Sequence, residues 1–136
     1  MVAVLAACAE PTLSPVVDGR LAVGTWGGQD AGVVVTSEGI HIHVGCTFGN
    51  IVGNVTIDAA GRFTAEGSYV IRAYPVQTGA SLPAQFSGRI AGTALTLAVA
   101  VHDTVEQRVV AVGPVTVLFG REAEMLQCPI CQVPGQ

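Results

Sequence analysis

The chain has 136 residues, enough for one hydrophobic core but too few for two self-sufficient domains. Half of its residues are hydrophobic and 12% charged, yet no apolar run approaches the roughly 18 to 20 residues of a membrane-crossing helix. Its six basic residues, all Arg, face ten acidic ones for a net charge of −4. No basic cluster could neutralise a row of phosphates, so nucleic acid is not expected as a partner. The absence of Lys removes Schiff-base, P-loop and Ser-Lys chemistry. Val, Gly, Ala and Thr dominate while good helix formers are sparse, a composition that predicts an all-β fold.

In chain order, residues 1–8 end in Leu5-Ala6-Ala7-Cys8. This pattern resembles the bacterial lipobox, cleaved before the cysteine by lipoprotein signal peptidase. The resemblance implies a diacylglyceryl anchor on Cys8 and an extracytoplasmic, membrane-anchored location, periplasmic or on the outer membrane. The segment carries no positive charge and only seven residues before Cys8, so it is read as the end of a longer signal peptide starting upstream. Residues 9–20, with Pro11, Ser14, Pro15, Asp18 and Gly19, lack periodicity and are expected to be a flexible tether.

Residues 21–122 are expected to form the β domain and 123–136 a C-terminal tail. Turn-forming clusters recur every eight to twelve residues from Leu21 onward, separated by segments that alternate with period two. In Ile40 to Cys46, one face carries Ile40, Ile42, Val44 and Cys46 and the other carries His41 and His43. The pattern repeats at Phe63 to Arg72, Leu95 to His102 and Val115 to Phe119, with weaker segments at Leu21 to Trp26, Val33 to Thr36, Ile51 to Ile57, Ala84 to Ile90 and Arg108 to Val112. One-sided alternation predicts antiparallel pairing. Short connections at Ser37-Glu38-Gly39, Asp58-Ala59-Ala60-Gly61, Ala91-Gly92-Thr93 and Gly113-Pro114 predict hairpins. The longer stretch from Ala73 to Pro83 is a candidate binding loop. About eight short strands in meander order would expose two edges unless they close, which favours an up-and-down barrel over a sandwich.

Gly24-Thr25-Trp26-Gly27 opens the first strand of that domain and resembles the Gly-x-Trp signature of lipocalins and avidin-like barrels. The resemblance implies that Gly24 and Trp26 close one end of the barrel and that Arg121, just after the last strand, stacks on Trp26 as a cation-π pair. The chain lacks the Thr-Asp-Tyr segment of lipocalins and the several tryptophans of a biotin site, so no shared ligand follows. Lipobox, Pro-containing tether, Gly-rich strands and a terminal cysteine together resemble small uncharacterised bacterial lipoproteins.

With Cys8 assigned to lipid, Cys46, Cys128 and Cys131 remain, and an oxidising compartment favours a disulfide. The expected pair is Cys46 with Cys128, closing a loop of roughly 80 residues for about 4 kcal/mol. A Cys128-x-x-Cys131 redox pair is the competing reading. His41 and His43 could begin a metal site with His102 or the cysteines, although two ligands do not complete tetrahedral zinc, and no cofactor is expected. The acids Asp58, Glu66, Asp103, Glu106, Glu122 and Glu124 are scattered, and Asp58 and Asp103 fit turns that bond their own backbone. The expectation is a monomeric, non-catalytic binding or interaction module whose partner is a small apolar ligand or an envelope protein. Protease or lysozyme inhibition is one form this could take, carriage of an apolar ligand another and metal binding a third.

Overall fold

A computed structural model of the protein describes residues 14–73 and 79–126. Every described regular element is a strand. A small hairpin, β1 (Val16–Val17) with β2 (Arg20–Leu21), precedes β3 (Gly24–Gly28), β4 (Ala31–Val35), β5 (Gly39–Val44), β6 (Thr47–Val52), β7 (Arg62–Val70), β8 (Leu82–Ala91), β9 (Ala94–Asp103) and β10 (Arg108–Phe119). From β3 to β10 each strand pairs antiparallel with its neighbour in sequence, and β10 returns to pair with β3. The result is a closed eight-stranded up-and-down barrel, as the alternation and the edge argument predict.

Period-two parity decides what fills it. Ile40 and Ile42 point inward from β5, Leu95, Leu97, Val99 and Val101 from β9, and all are buried. Residues of the opposite parity face out. Besides Trp26, three aromatic side chains, Tyr69, Phe63 and Phe86, are buried in the interior, and each lies against a glycine on an adjacent strand. A Cβ at Gly49 would sit 2.3 Å from the Tyr69 ring, one at Gly88 2.3 Å from Phe63, and one at Gly67 2.9 Å from Phe86. These glycines clear the space that the rings occupy. Tyr69 keeps its hydroxyl paired while buried: Thr47 Oγ1 donates to the Val44 carbonyl at 2.7 Å, so the Tyr69 hydroxyl donates to Thr47 Oγ1, also at 2.7 Å.

Closure rests on a short seam in which only Leu118↔Gly27 and Phe119↔Trp26 pair across β10 and β3. The chain then reverses at Gly120, and residues 121–126 lie as a strap along the outside of β3 and β4. Gly120 N–H donates to Thr25 O, Glu124 N–H to Gly28 O, and Asp30 N–H to Glu124 O, at 2.8 to 2.9 Å. The paired residues Gly27 and Gly32 make the groove for this strap. A Cβ on Gly27 would come within 2.2 Å of the Glu122 backbone, and one on Gly32 within 2.8 Å of Ala123 Cβ.

Four local expectations need correction. Residues 16–21, mostly assigned to the tether, form a hairpin through Asp18 and Gly19, whose φ values of 53° and 73° are those of a two-residue Asp-Gly turn. That hairpin is fixed to the barrel by the Arg20↔Thr56 bridge and by Ile57 N–H donating to Gly19 O at 2.7 Å. The strand expected at Ile51 to Ile57 runs instead over Thr47–Val52, because Gly45 and Cys46 make a two-residue turn with Gly45 at φ 57°. Cys46 therefore lies in a turn rather than on the core face of β5. Gly113 and Pro114 are a bulge inside β10, where the register shifts between Val112 and Val115, and not a hairpin between two strands.

The strap and seam make Gly27 a sensitive position. Gly27→Ala should cost about 1–3 kcal/mol by overpacking against immobile backbone. That loss lowers the thermal midpoint by about 4 °C per kcal/mol, measured by circular dichroism. Thr25→Ala, on the exposed face of the same strand, is the control and should change stability by less than about 0.5 kcal/mol. Equal midpoints for Gly27→Ala and the parent would show that the strap does not hold the seam.

Candidate functional site

For a barrel of this kind three regions can carry chemistry: the two ends and the outer wall. At the end that carries the β9–β10 turn, Asp103 is 1% exposed although ionised. Its carboxylate accepts a forked pair from Arg72, Nη2 to Oδ2 at 2.7 Å and Nη1 to Oδ1 at 3.3 Å. Arg108 Nε donates to Oδ2 at 3.5 Å, and the N–H groups of Val105 and Glu106 donate to Oδ1 at 3.1 and 3.2 Å. The Arg72 hydrogen bonds dominate, overcoming the desolvation that pushes the other way, and hold the Asp103 pKa down from 3.8 to about 2. A carboxylate so firmly ionised is a poor proton acceptor near neutrality, so this cluster is a clasp joining the β7–β8 connection to the β9–β10 turn. The sequence places Asp103 correctly as a turn-bonding acid but gives no sign of Arg72, which is 31 residues away in the chain. Asp58 behaves as expected, its Oδ1 accepting from the N–H groups of Ala60 and Arg62 at 2.8 Å.

At the seam, Trp26 is fully buried and its ring lies 4.8 Å from that of Phe119 at 52°. Gly24, at φ 147°, lies under the Phe119 ring, which a Cβ there would meet at 3.2 Å. Gly24 and Trp26 thus both lie against Phe119 at the seam. The side chain stacked on Trp26, however, is Phe119. Arg121 lies exposed beyond the Gly120 reversal, and no cation-π contact joins it to Trp26. Trp26 Nε1 is buried without a hydrogen-bond partner among the described residues.

On the outer wall, β5 presents His41 and His43 side by side, with Nε2 of one 2.7 Å from Nε2 of the other. Asn50, directly opposite His41 on β6, accepts from His41 Nδ1 at 2.7 Å. Phe48, opposite His43, packs at 6.0 and 5.8 Å from the two rings. Partial burial, followed by the charge of His41, lowers the His43 pKa. His102 is on β9 and does not join them. No group of three or more His, Cys, Asp or Glu side chains among the described residues converges on one point.

A cavity of about 600 Å³ lies outside the barrel between the β1–β2 hairpin and the end bearing Phe119. Val17, Leu21, Ala22, Val23, Asn54 and Phe119 contribute to its walls. Asn54 holds the hairpin in place by accepting from Leu21 N–H at 3.2 Å and donating to Leu21 O at 2.8 Å. Cys46 is disulfide-bonded. Cys8, Cys128 and Cys131 lie outside the described residues, as do residues 74–78 of the expected binding loop. No protein-family model, curated protein or solved structure matches the chain. No helix among the described residues is long and apolar enough to cross a membrane.

The Asp103 clasp predicts an acid-sensitive fold. Its pKa is lowered on folding, so its stabilisation is complete above about pH 4 and is lost as pH falls toward about 2. Asp103→Asn should unfold at a lower temperature than the parent at pH 7, and the gap should narrow steadily between pH 4 and pH 2. A gap independent of pH across that range would contradict the assignment.

Proposed function

We propose that this chain is a cell-envelope lipoprotein, anchored through Cys8, whose barrel is a non-catalytic interaction module that meets its partner with its outer wall and ends. The observation carrying this reading is the interior: Trp26, Tyr69 and Phe86 are each fully buried, and aliphatic side chains from the seven strands β4 to β10 occupy the space around them. A barrel that carries ligand inside needs some hundreds of cubic ångströms there. Recognition by this barrel falls to its surface, as in protein inhibitors of the protease or lysozyme class. The Leu5-Ala6-Ala7-Cys8 pattern supports the anchor. A single acyl chain would hold only weakly, but several on one cysteine hold stably.

The path of the strap supports the Cys46–Cys128 pairing. Gly45 N–H donates to Asp30 O at 2.9 Å, and Leu126 N–H donates to Asp30 Oδ1 at 3.2 Å. Asp30 thus brings residue 126 beside the turn that holds Cys46, two residues short of Cys128. A second reading, carriage of a small apolar ligand, is favoured by the 600 Å³ cavity beneath the hairpin, at the barrel's end rather than within it.

Mass spectrometry of protein expressed from the full reading frame and extracted in mild detergent tests both readings. Denatured protein should begin at Cys8 with a diacylglyceryl and an amide-linked acyl group, lost in Cys8→Ala, and should give a Cys46–Cys128 cross-linked peptide. Under native conditions no further small molecule should accompany it. An unmodified Cys8 would remove the address. A stoichiometric apolar passenger, lost in Phe119→Arg, would replace the interaction module with the carrier.

A further inference from the structure

We propose that His41 and His43 form a two-histidine site on the outer wall that takes up one divalent late transition-metal ion, copper most tightly, with Asn50 as the residue that positions His41. Residues two apart on a strand project from the same face, so His41 and His43 share the wet side of β5. Sharing a face leaves side chains free to diverge. Here the rings turn toward each other, with centroids 4.5 Å apart at 70° and the two Nε2 atoms at 2.7 Å.

Asn50 fixes the chemistry of that encounter. Its Oδ1 is an acceptor, so His41 Nδ1 carries the proton and His41 Nε2 presents a lone pair. A histidine ring whose far nitrogen donates to a carbonyl oxygen, leaving the near nitrogen bare, is the usual arrangement of a metal-ligating imidazole and its outer partner. In the metal-free pair, His43 Nε2–H donates to that lone pair. Binding asks that the His43 proton move from Nε2 to Nδ1 through water, which frees both Nε2 lone pairs with no net release of protons. Two metal–nitrogen bonds of about 2.0–2.1 Å at ordinary angles place their nitrogens about 2.9–3.4 Å apart. The pair, 2.7 Å apart, therefore opens by about 0.2–0.7 Å while the rings turn so that the two facing lone pairs converge on the ion.

The surroundings also suit a cation. Phe48 packs on both rings and restrains them. The residues facing the pair from β4 are Gly32 and Val34, and from β6 Phe48 and Asn50, none of them charged. His43 is exposed and His41 half-buried, so the remaining coordination positions open to water. Neutral imidazoles favour copper, zinc and nickel over calcium or magnesium, and copper binds tightest among the first-row ions.

Titrating the full chain with Cu(II), followed by electron paramagnetic resonance, tests the site. One equivalent should bind with a hyperfine pattern of two imidazole nitrogens. His41→Ala and His43→Ala, each with native circular dichroism, should lose the two-nitrogen pattern and bind about 10²-fold more weakly. Asn50→Ala should keep both nitrogens but weaken binding by about tenfold, and His102→Ala should bind as the parent does. His41→Gln and His43→Gln replace any alanine variant that misfolds and carry the same expectation. A parent spectrum without two nitrogens, or a parent spectrum unchanged in both single variants, overturns the proposal.

Discussion

Closure of the sheet between β3 and β10 is the constraint on which the rest depends. Seven of the eight junctions in the barrel join strands that follow one another in the chain, so each is a local hairpin or loop event. The eighth brings together residues more than ninety positions apart and holds with two paired positions, Leu118↔Gly27 and Phe119↔Trp26. Several features converge on that junction. The Trp26 and Phe119 rings meet inside it, Gly24 makes room for Phe119, Gly28 lets the Thr116 carbonyl approach, and the strap adds hydrogen bonds outside. Without closure β3 and β10 would each be a long open edge, and the rings resting on Gly49, Gly67 and Gly88 would lose the opposite wall they pack against.

Glycine is used here mainly as space. A barrel of eight strands has an interior just wide enough for side chains to fill. Tyr69, Phe63 and Phe86 are large for the space between neighbouring strands, and glycine resolves the crowding, facing Tyr69 and Phe63 directly at Gly49 and Gly88 and lying diagonal to Phe86 at Gly67. Outside, Gly27 and Gly32 do the same for a length of backbone. A fold with few aromatic residues can therefore be tightly filled.

What the sequence reveals follows the range of the interaction. Strands with strict alternation, such as Ile40 to Val44 and Leu95 to Val101, are legible because parity is a property of adjacent residues. Thr47–Val52 is harder: Ile51 and Val52 are consecutive and apolar, so they carry no parity, and Val52 proves to be 94% exposed. Asp18-Gly19 is a hairpin signal hidden by flanking strands of two residues each. Gly113-Pro114 has the composition of a turn but interrupts a single strand. Among site residues, the shared face of His41 and His43 is legible and their convergence is not, since it depends on the cross-strand position of Asn50. Arg72 with Asp103, and Phe119 in place of Arg121 on Trp26, are non-local choices that spacing alone does not determine.

The strap has a consequence for how the molecule presents itself. Ser14 emerges beside the Phe119 end of the barrel, whereas residues 121–126 carry the chain along the wall to the opposite end, beside Asp30 and the Gly45 turn. The two ends of the described chain thus leave from opposite poles. If Cys8 holds the molecule to a bilayer, the pole with the hairpin and its cavity is turned toward the lipid headgroups. The Asp103 clasp and the β5–β6 turn then form the outermost tip, the part that a macromolecule approaching from solution would meet first.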